Sequence, residues 1–281
     1  MKVLYLGGNG FVGKNVLNQF SLEGINYLAP RSFELNLLNT LEVDRYIGVH
    51  KPDVVIFSAV NINSLNENMQ MFLNVARCSH SFGKLISLGS GAEYDNRNYI
   101  PKMDESRFGL SIPCDTYGLS KYANAAFIEN SAEKFFNLRV FGIYGKYEDF
   151  SRRFISNNIC NVLTGGQISI NQDMCFDYIY AIDFAKMLCK FLYADPAHKS
   201  YNVCATNTVK LSKLARIIRD THDEDVQIII KEDGLRKEYS GDNSRFISEF
   251  YDFNETKFTD AIAELYDWYK NDVDLSGFNR E

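Results

Sequence analysis

The sequence predicts an α/β protein in which a doubly wound parallel sheet carries a smaller C-terminal α+β lobe. Three observations predict it. Short apolar, β-prone runs alternate with helix-periodic stretches as far as Gly145, a glycine cluster separates the first strand from the first helix, and the rhythm changes after Gly145. Lys2-Val3-Leu4-Tyr5-Leu6 reads as the first strand, and Phe11 to Phe20 has helical spacing. Further strand-like runs are Ile25 to Leu28, Val54 to Phe57, Lys84 to Leu88 and Leu138 to Phe141, separated by helical stretches such as Asn66 to Phe82 and Tyr117 to Phe135. Beyond Gly145, Arg152 to Leu163 reads as a helix, Gly165-Gly166 as a turn and Gln167 to Ile170 as a strand opening the smaller lobe. Phe176 to Leu192 returns to the main domain, and Thr208 to Asp220 and Asp260 to Lys270 read as amphipathic lobe helices. The expected division is residues 1–148 plus about 172–194 for the main domain, and about 149–171 plus 195–281 for the lobe.

A chain of 281 residues, 46% hydrophobic and 23% charged, is long enough for a sizeable core in one or two lobes. Its net charge of -6, with no basic run interleaved with aromatics, argues against nucleic acid as a partner. The six cysteines are scattered without a CxxC pair, and no signal peptide precedes the first strand, so reduced cysteines and a cytoplasmic protein are expected. The four histidines lie far apart, without metal-ligand spacing, and no metal is expected. No run is apolar for long enough to span a bilayer, and no membrane partner is expected.

Gly7-Gly8-Asn9-Gly10-Phe11-Val12-Gly13 falls where the first strand ends and the first helix begins. It satisfies GxGxxG through Gly8, Gly10 and Gly13 and GxxGxxG through Gly7, Gly10 and Gly13, so helix N-terminal N–H groups can face a pyrophosphate. The second strand runs into Ala29-Pro30-Arg31-Ser32 without the acid that would bind an adenosine ribose 2′-hydroxyl. Arg31 and Ser32 suit a 2′-phosphate instead, so NADPH is the expected cofactor, with NAD as the alternative.

Tyr117 and Lys121 are four residues apart and share one helix face. A phenol ordinarily titrates near ~10, and a fixed ammonium beside it favours the phenolate, which would make Tyr117 a general acid poised nearer neutrality.

With the glycine turn, Ser90 in Leu88-Gly89-Ser90-Gly91-Ala92-Glu93-Tyr94, and then Tyr117xxxLys121, the chain resembles the extended short-chain dehydrogenase/reductase superfamily of nucleotide-sugar epimerases, dehydratases and ketoreductases. Asn68, Leu138-Arg139-Val140-Phe141-Gly142-Ile143-Tyr144-Gly145 (similar to LRxxNxYG) and Phe176-Asp177-Tyr178-Ile179-Tyr180-Ala181-Ile182-Asp183 (similar to RDFIYVDD) extend the resemblance over nearly the whole chain. It implies a Rossmann-type domain with a C-terminal lobe closing over a nucleotide-diphosphate sugar. Ser90 would hydrogen-bond the sugar carbonyl oxygen, Tyr117 would exchange the proton, and Lys121 would hold both Tyr117 and the nicotinamide ribose. Asn36-Leu37 would contact adenine, and Ser58 and Ala59 complete the implied cofactor set. A homodimer is a further expectation of the family.

Three branches differ in their residues. A 4,6-dehydratase has an Asp-Glu pair after its threonine, whereas Gly91-Ala92 follows Ser90 here; the fucose-synthase type uses a cysteine and a histidine where this chain has Ala92 and Tyr147. A 4-epimerase keeps NAD and the acid at the second strand end. The expected reaction is therefore NADPH-dependent reduction of the C4 ketone of a nucleotide-linked 4-keto-deoxysugar, in making an unusual sugar for a cell-surface polysaccharide. An NAD-dependent 4-epimerase and an NADP-binding sensor or scaffold are the alternatives. The arginine that the family places before the Asp of its RDFIYVDD-like segment is Phe176 here, so Arg152, Arg153 and Arg245 are the candidate diphosphate cations, with Phe150 and Asn157 as candidates to frame the base.

Overall fold

The computed structural model of the chain describes residues 1–222, 225–250 and 254–278. In order, the elements are β1 Lys2–Leu6, α1 Phe11–Leu22, β2 Asn26–Leu28, α2 Thr40–His50, β3 Val54–Phe57, α3 Leu65–Ala76, β4 Lys84–Ser90, α4 Thr116–Glu129 and β5 Phe135–Val140. Then come β6 Ile143–Tyr144, α5 Phe154–Leu163, β7 Ile168–Asp173, β8 Cys175–Phe176, β9 Ile179–Tyr180, α6 Ala181–Tyr193, β10 Ser200–Val203 and β11 Val209–Lys210. The chain continues through α7 Leu211–Thr221, β12 Ile228–Leu235, α8 Ser244–Glu249 and α9 Phe258–Asp272.

Six strands form one parallel sheet in the order β10-β5-β4-β3-β1-β2. Every residue of β3 and β5 is buried, because helices cover both faces, and this is why the strands read as continuous apolar runs. One face packs on α1 and α6 through Val16, Phe20, Phe184 and Leu188; the other packs on α2 and α3 through Val43, Ile47, Phe72 and Val75. The order reverses between β1 and β3, which opens a crevice at their C-terminal ends.

A second core belongs to the lobe. Ile155 and Ile159 of α5, Ile168 and Ile170 of β7, Leu214 and Ile218 of α7, and Ile262 and Leu265 of α9 bury one another there. Strand β12 pairs with β7, and β11 with β8. The stretch after β12 crosses back to the sheet domain: Tyr239 bridges Phe176, and Gly241 bridges Met103.

The structure moves three expected boundaries. Helix α3 stops at Ala76 and not at Phe82, because the chain must turn at Gly83, whose N–H bonds the Asp53 carbonyl, to enter β4. Helix α4 stops at Glu129, and Phe135 and Phe136 pair with Leu85 and Ile86 as the start of β5; a short apolar run reads equally as helix or strand until a partner strand claims it. The lobe boundary at 195 falls too early, since β10 pairs with β5 as the outermost strand of the main sheet.

Candidate active site

The glycine turn is built for close approach. Gly7 has φ 98°, and a Cβ on it would lie 2.7 Å from the Ala59 backbone nitrogen, so the C-terminal ends of β1 and β3 meet only through glycine. A Cβ at Gly13 would lie 2.7 Å from Gly8 Cα, so α1 seats directly on the turn. At Gly10 a Cβ would meet, among the described residues beyond its chain neighbours, just the Gly7 carbonyl, 3.5 Å away, which leaves that side open. Gly10 caps α1 without a side-chain bond, so the first-turn N–H groups of Phe11, Val12 and Gly13 face an anion-ready opening. These features fit a dinucleotide pyrophosphate.

From this turn runs a cleft of about 420 Å³ lined by Gly7, Gly10, Arg31, Ser32, Asn36, Leu37, Ser58 and Ala59, and also by Asn61, Glu67 and Met71. The Arg31 guanidinium is 6.0 Å from the Phe33 ring, and its backbone N–H donates to Glu34 Oε2. The Asn36 side-chain oxygen accepts the Leu38 N–H at 3.0 Å. Thus the structure brings eight of the expected cofactor residues to one cleft at the sheet's switch point, whereas Phe11, Val12 and Gly13 form the first turn of α1 and Lys121 lies on α4.

Ser90 ends β4, in the same row as Val140 and Val203. Its Oγ accepts the Ala92 N–H at 3.1 Å, and its own N–H donates to Glu93 Oε1 at 2.9 Å. Helix α4 packs on this turn: a Cβ at Gly118 would be 2.7 Å from the Ala92 carbonyl oxygen, so the residue after Tyr117 must be small. Lys121 is buried and donates from Nζ to the Leu88 carbonyl at 2.7 Å, with its ammonium 5.9 Å from the Tyr117 ring centroid. Asn68 braces the same helix, donating to Ser120 Oγ at 3.1 Å while its own Oδ1 accepts the Asn61 N–H. Ser90, Tyr117 and Lys121 are therefore brought together from a strand end and a helix face.

One neighbour was not legible in the sequence. The Tyr239 hydroxyl lies over Gly91, where any Cβ would collide with it, and its ring stacks on Tyr99 at 5.0 Å and packs on Phe141 at 5.5 Å. Burial, reinforced by Asp177 and Tyr117, raises the Tyr239 phenol well above its ordinary range, so it is a neutral donor. Asp177 holds this segment by accepting the Gly241 N–H at 2.6 Å, and burial pushes its own carboxyl up to about 7. No local pattern marks Tyr239 in the sequence.

The lobe candidates do not form one cluster. Arg245 donates to the Ser200 carbonyl at 3.1 Å and lies 3.7 Å from Glu105. Ser200 stands in the row of Asn137 and Ser87, three residues, or roughly 10 Å, upstream of the Ser90 row, so Arg245 meets β10 at that row. Phe150 packs into the lobe core against Tyr269 and Phe278. Asn157 spends its amide on the Phe150 carbonyl at 3.1 Å, and exposed Arg152 lies 3.8 Å from Asp149. Arg153, exposed at the start of α5, acts electrostatically on both Glu148 and Tyr178. Tyr178 in turn would be 3.1 Å from a Cβ on Gly142, just past β5.

Among the described residues, no group of three or more His, Cys, Asp or Glu side chains is arranged to hold a metal ion, and no helix is long and apolar enough to cross a membrane.

Comparison with known proteins places the chain in a family. Residues 3–204 match the model of the NAD dependent epimerase/dehydratase family. A GDP-L-colitose synthase of Yersinia pseudotuberculosis is 31% identical over 176 residues, covering 53% of this chain and 55% of that protein, so the match spans about half of that relative. A GDP-L-fucose synthetase structure from Naegleria fowleri superposes with a TM-score of 0.83 at 18% identity, covering 100% of this chain and 94% of that one. A GDP-mannoheptose C4 reductase from Campylobacter jejuni with NADP bound superposes at 0.81 with 19% identity, covering 96% and 98%.

Proposed function

The chain belongs to the NAD dependent epimerase/dehydratase family, and on that premise we propose that it reduces the C4 ketone of a nucleotide-linked 4-keto-deoxysugar, with NADPH as reductant. The observation that carries this reading is the inventory of proton carriers around Ser90. Tyr117 and Lys121 are there, and Tyr239 adds a neutral phenol. Among the described residues there, the free acids and bases that elimination or C3/C5 epimerisation would need are not present. Glu93, only three residues from Ser90, is fully buried in an ion pair with Arg139 at 2.6 Å. Ala92 carries no proton, and Tyr147 turns toward α1, where Asn18 donates to its hydroxyl at 3.2 Å and the Lys14 ammonium is 5.2 Å from its ring.

NADPH, when bound, supplies the hydride. Ser90 donates its hydroxyl proton as a hydrogen bond to the ketone oxygen, and this contact strengthens as negative charge develops there. Tyr117 delivers the proton that converts the developing alkoxide to an alcohol, and Lys121 lies beside it to stabilise the phenolate left behind. The chain holds these groups before the substrate arrives, so little reorganisation is needed during reaction. Arg31 and Ser32 bind the adenosine 2′-phosphate, and Arg153 is the cation for the substrate diphosphate. Relatives named for GDP-linked sugars favour a GDP-sugar. The product would serve a cell-surface polysaccharide and be made in the cytoplasm, in keeping with six cysteines that form no disulfide.

The test is to mix the purified protein with NADPH and 4-keto-deoxysugar nucleotides, GDP-linked first, in D2O. Expected are equimolar loss of NADPH absorbance and appearance of a C4 alcohol without deuterium at C3 or C5. Interconversion of C4-hydroxy sugar nucleotides at C4, with no net oxidation or reduction of the cofactor and no reduction of the 4-ketones, would make the protein a 4-epimerase, and tight NADPH binding without turnover would make it a sensor.

A further inference from the structure

We propose that Glu93 and Arg139 are positioning residues: a buried ion pair that fixes Ser90 with its hydroxyl proton free for the sugar oxygen and ties it to the helix bearing Tyr117 and Lys121. What Ser90 touches rests on the reduction reading above.

Glu93 uses both carboxylate oxygens. Oε1 accepts the Ser90 N–H at 2.9 Å, and Oε2 accepts Arg139 Nε at 2.6 Å and Asn137 Nδ2 at 2.8 Å. Ser90 Oγ meanwhile accepts the Ala92 N–H, and its own O–H donates to no described residue. The result is a hydroxyl anchored from behind and ready to donate forward. Arg139 completes the brace on the other side, with Nη2 3.3 Å from Oε1 of Glu129, the last residue of α4. Its guanidinium lies 4.3 Å from the Phe108 ring and 5.5 Å from the Tyr94 ring, which fix its plane. Thus a single guanidinium joins the Ser90 turn to the helix of Tyr117, while Lys121 joins them again through the Leu88 carbonyl.

Gly89 belongs to this device. It pairs with Arg139 across the sheet, and a Cβ there would collide with the Glu93 carboxylate and the Asn137 amide, so the glycine before Ser90 is room for the brace. Stability alone gives no reason for such a pair, because apolar side chains of similar volume commonly serve a core as well as a buried ion pair does. Geometry at Ser90 supplies the reason.

The experiment replaces both charges at once, Glu93→Leu with Arg139→Met, so that no unpaired charge is left buried. Thermal melting and NADPH affinity report the fold. Expected are an affinity within about 3-fold of the parent, kcat lower by about 10- to 100-fold and KM little changed, since misplacement of a catalytic group slows the chemical step. In a Ser90→Ala background the same pair of changes should cost less than about 2-fold, because it acts through Ser90. Gly89→Ala, which displaces the carboxylate by another route, should reproduce the kcat loss if the double variant fails to fold. Parental kcat in either folded variant, or an equal loss in both backgrounds, overturns the proposal. Exchange of the Ser90 amide proton is a readout that needs no substrate: slow in the parent, at least about 10-fold faster in either variant as its acceptor goes. Unchanged exchange overturns the proposal, whereas absence of turnover in the parent sinks only the reduction reading.

Discussion

Tyr117 and Lys121 stand one turn apart on α4 with the ammonium held by the Leu88 carbonyl, so replacing the phenol tests the proposed proton source without touching the lining of the glycine-turn cleft. Tyr117→Phe should lower kcat by about 10²- to 10⁴-fold with NADPH affinity unchanged, measured by stopped-flow and fluorescence titration. The proposed role of Arg31 concerns a different quantity. Arg31→Ala should weaken NADPH by roughly tenfold or more, as loss of a charge-assisted bond of ~1.5–3 kcal/mol, and leave NADH nearly unaffected; an unchanged NADPH-over-NADH ratio would reject the 2′-phosphate assignment. The local geometry of such residues was legible in the sequence because their constraint is local: a glycine at positive φ or a pair four apart on a helix needs no distant partner to be recognised. The contact of Arg245 with β10 and the place of Tyr239 over Gly91 were not legible, because sheet rows and a returning segment set them, and neither leaves a mark nearby in the chain.

Elements carry these residues to their places, and α4 depends on its start. Asp115 caps it, accepting the Gly118 N–H at 2.7 Å, two residues before and one after Tyr117. Asp115→Ala should cost about 0.5–2 kcal/mol of stability and fray the turn that holds the phenol, so melting temperature and kcat should fall together while Asp115→Ser keeps most of both. The strands were easily read, since burial on both faces leaves uninterrupted apolar runs such as Val54–Phe57. Helix ends were not. Phe135 and Phe136 satisfy helical and strand spacing alike, and pairing with Leu85 and Ile86 decides between them. Likewise β10 is indistinguishable in sequence from a lobe strand until it takes the edge beside β5.

At the scale of the whole molecule, buried acids set the response to pH. Burial raises the Glu148 carboxyl to about 8 from 4.5, with Ser156 bonding it at 2.9 Å, and raises Asp177 to about 7 from 3.8. The folded state thus holds protons that the unfolded state releases. Their stabilisation is complete below the unfolded values and is lost as pH rises through about 7 to 8. Melting temperature should therefore fall between pH 5 and pH 8, and Glu148→Gln should flatten that fall by removing one of the two titrations; an equal slope in parent and variant would exclude Glu148. Helices α3 and α4 also leave Met69, Leu73 and Phe127 exposed, and a homodimer covering them would show in light scattering as twice the mass of one chain. Leu73→Glu with Phe127→Glu should yield monomers.

The sequence by itself determined the α/β class, the parallel sheet and the glycine turn between β1 and α1, because each follows from periodicity or from motifs within a few residues of chain, and it singled out Ser90, Tyr117 and Lys121 as the candidates proposed here. Tertiary structure alone decided which lobe β10 joins, which arginine stays near Tyr178, that Glu93 pairs with Arg139 and is no free acid, and that Tyr239 returns to lie over Gly91. The physical reason is range: local steric and hydrogen-bonding rules act over one or two turns, whereas burial and charge pairing depend on segments that only the packed sheet and lobe bring together.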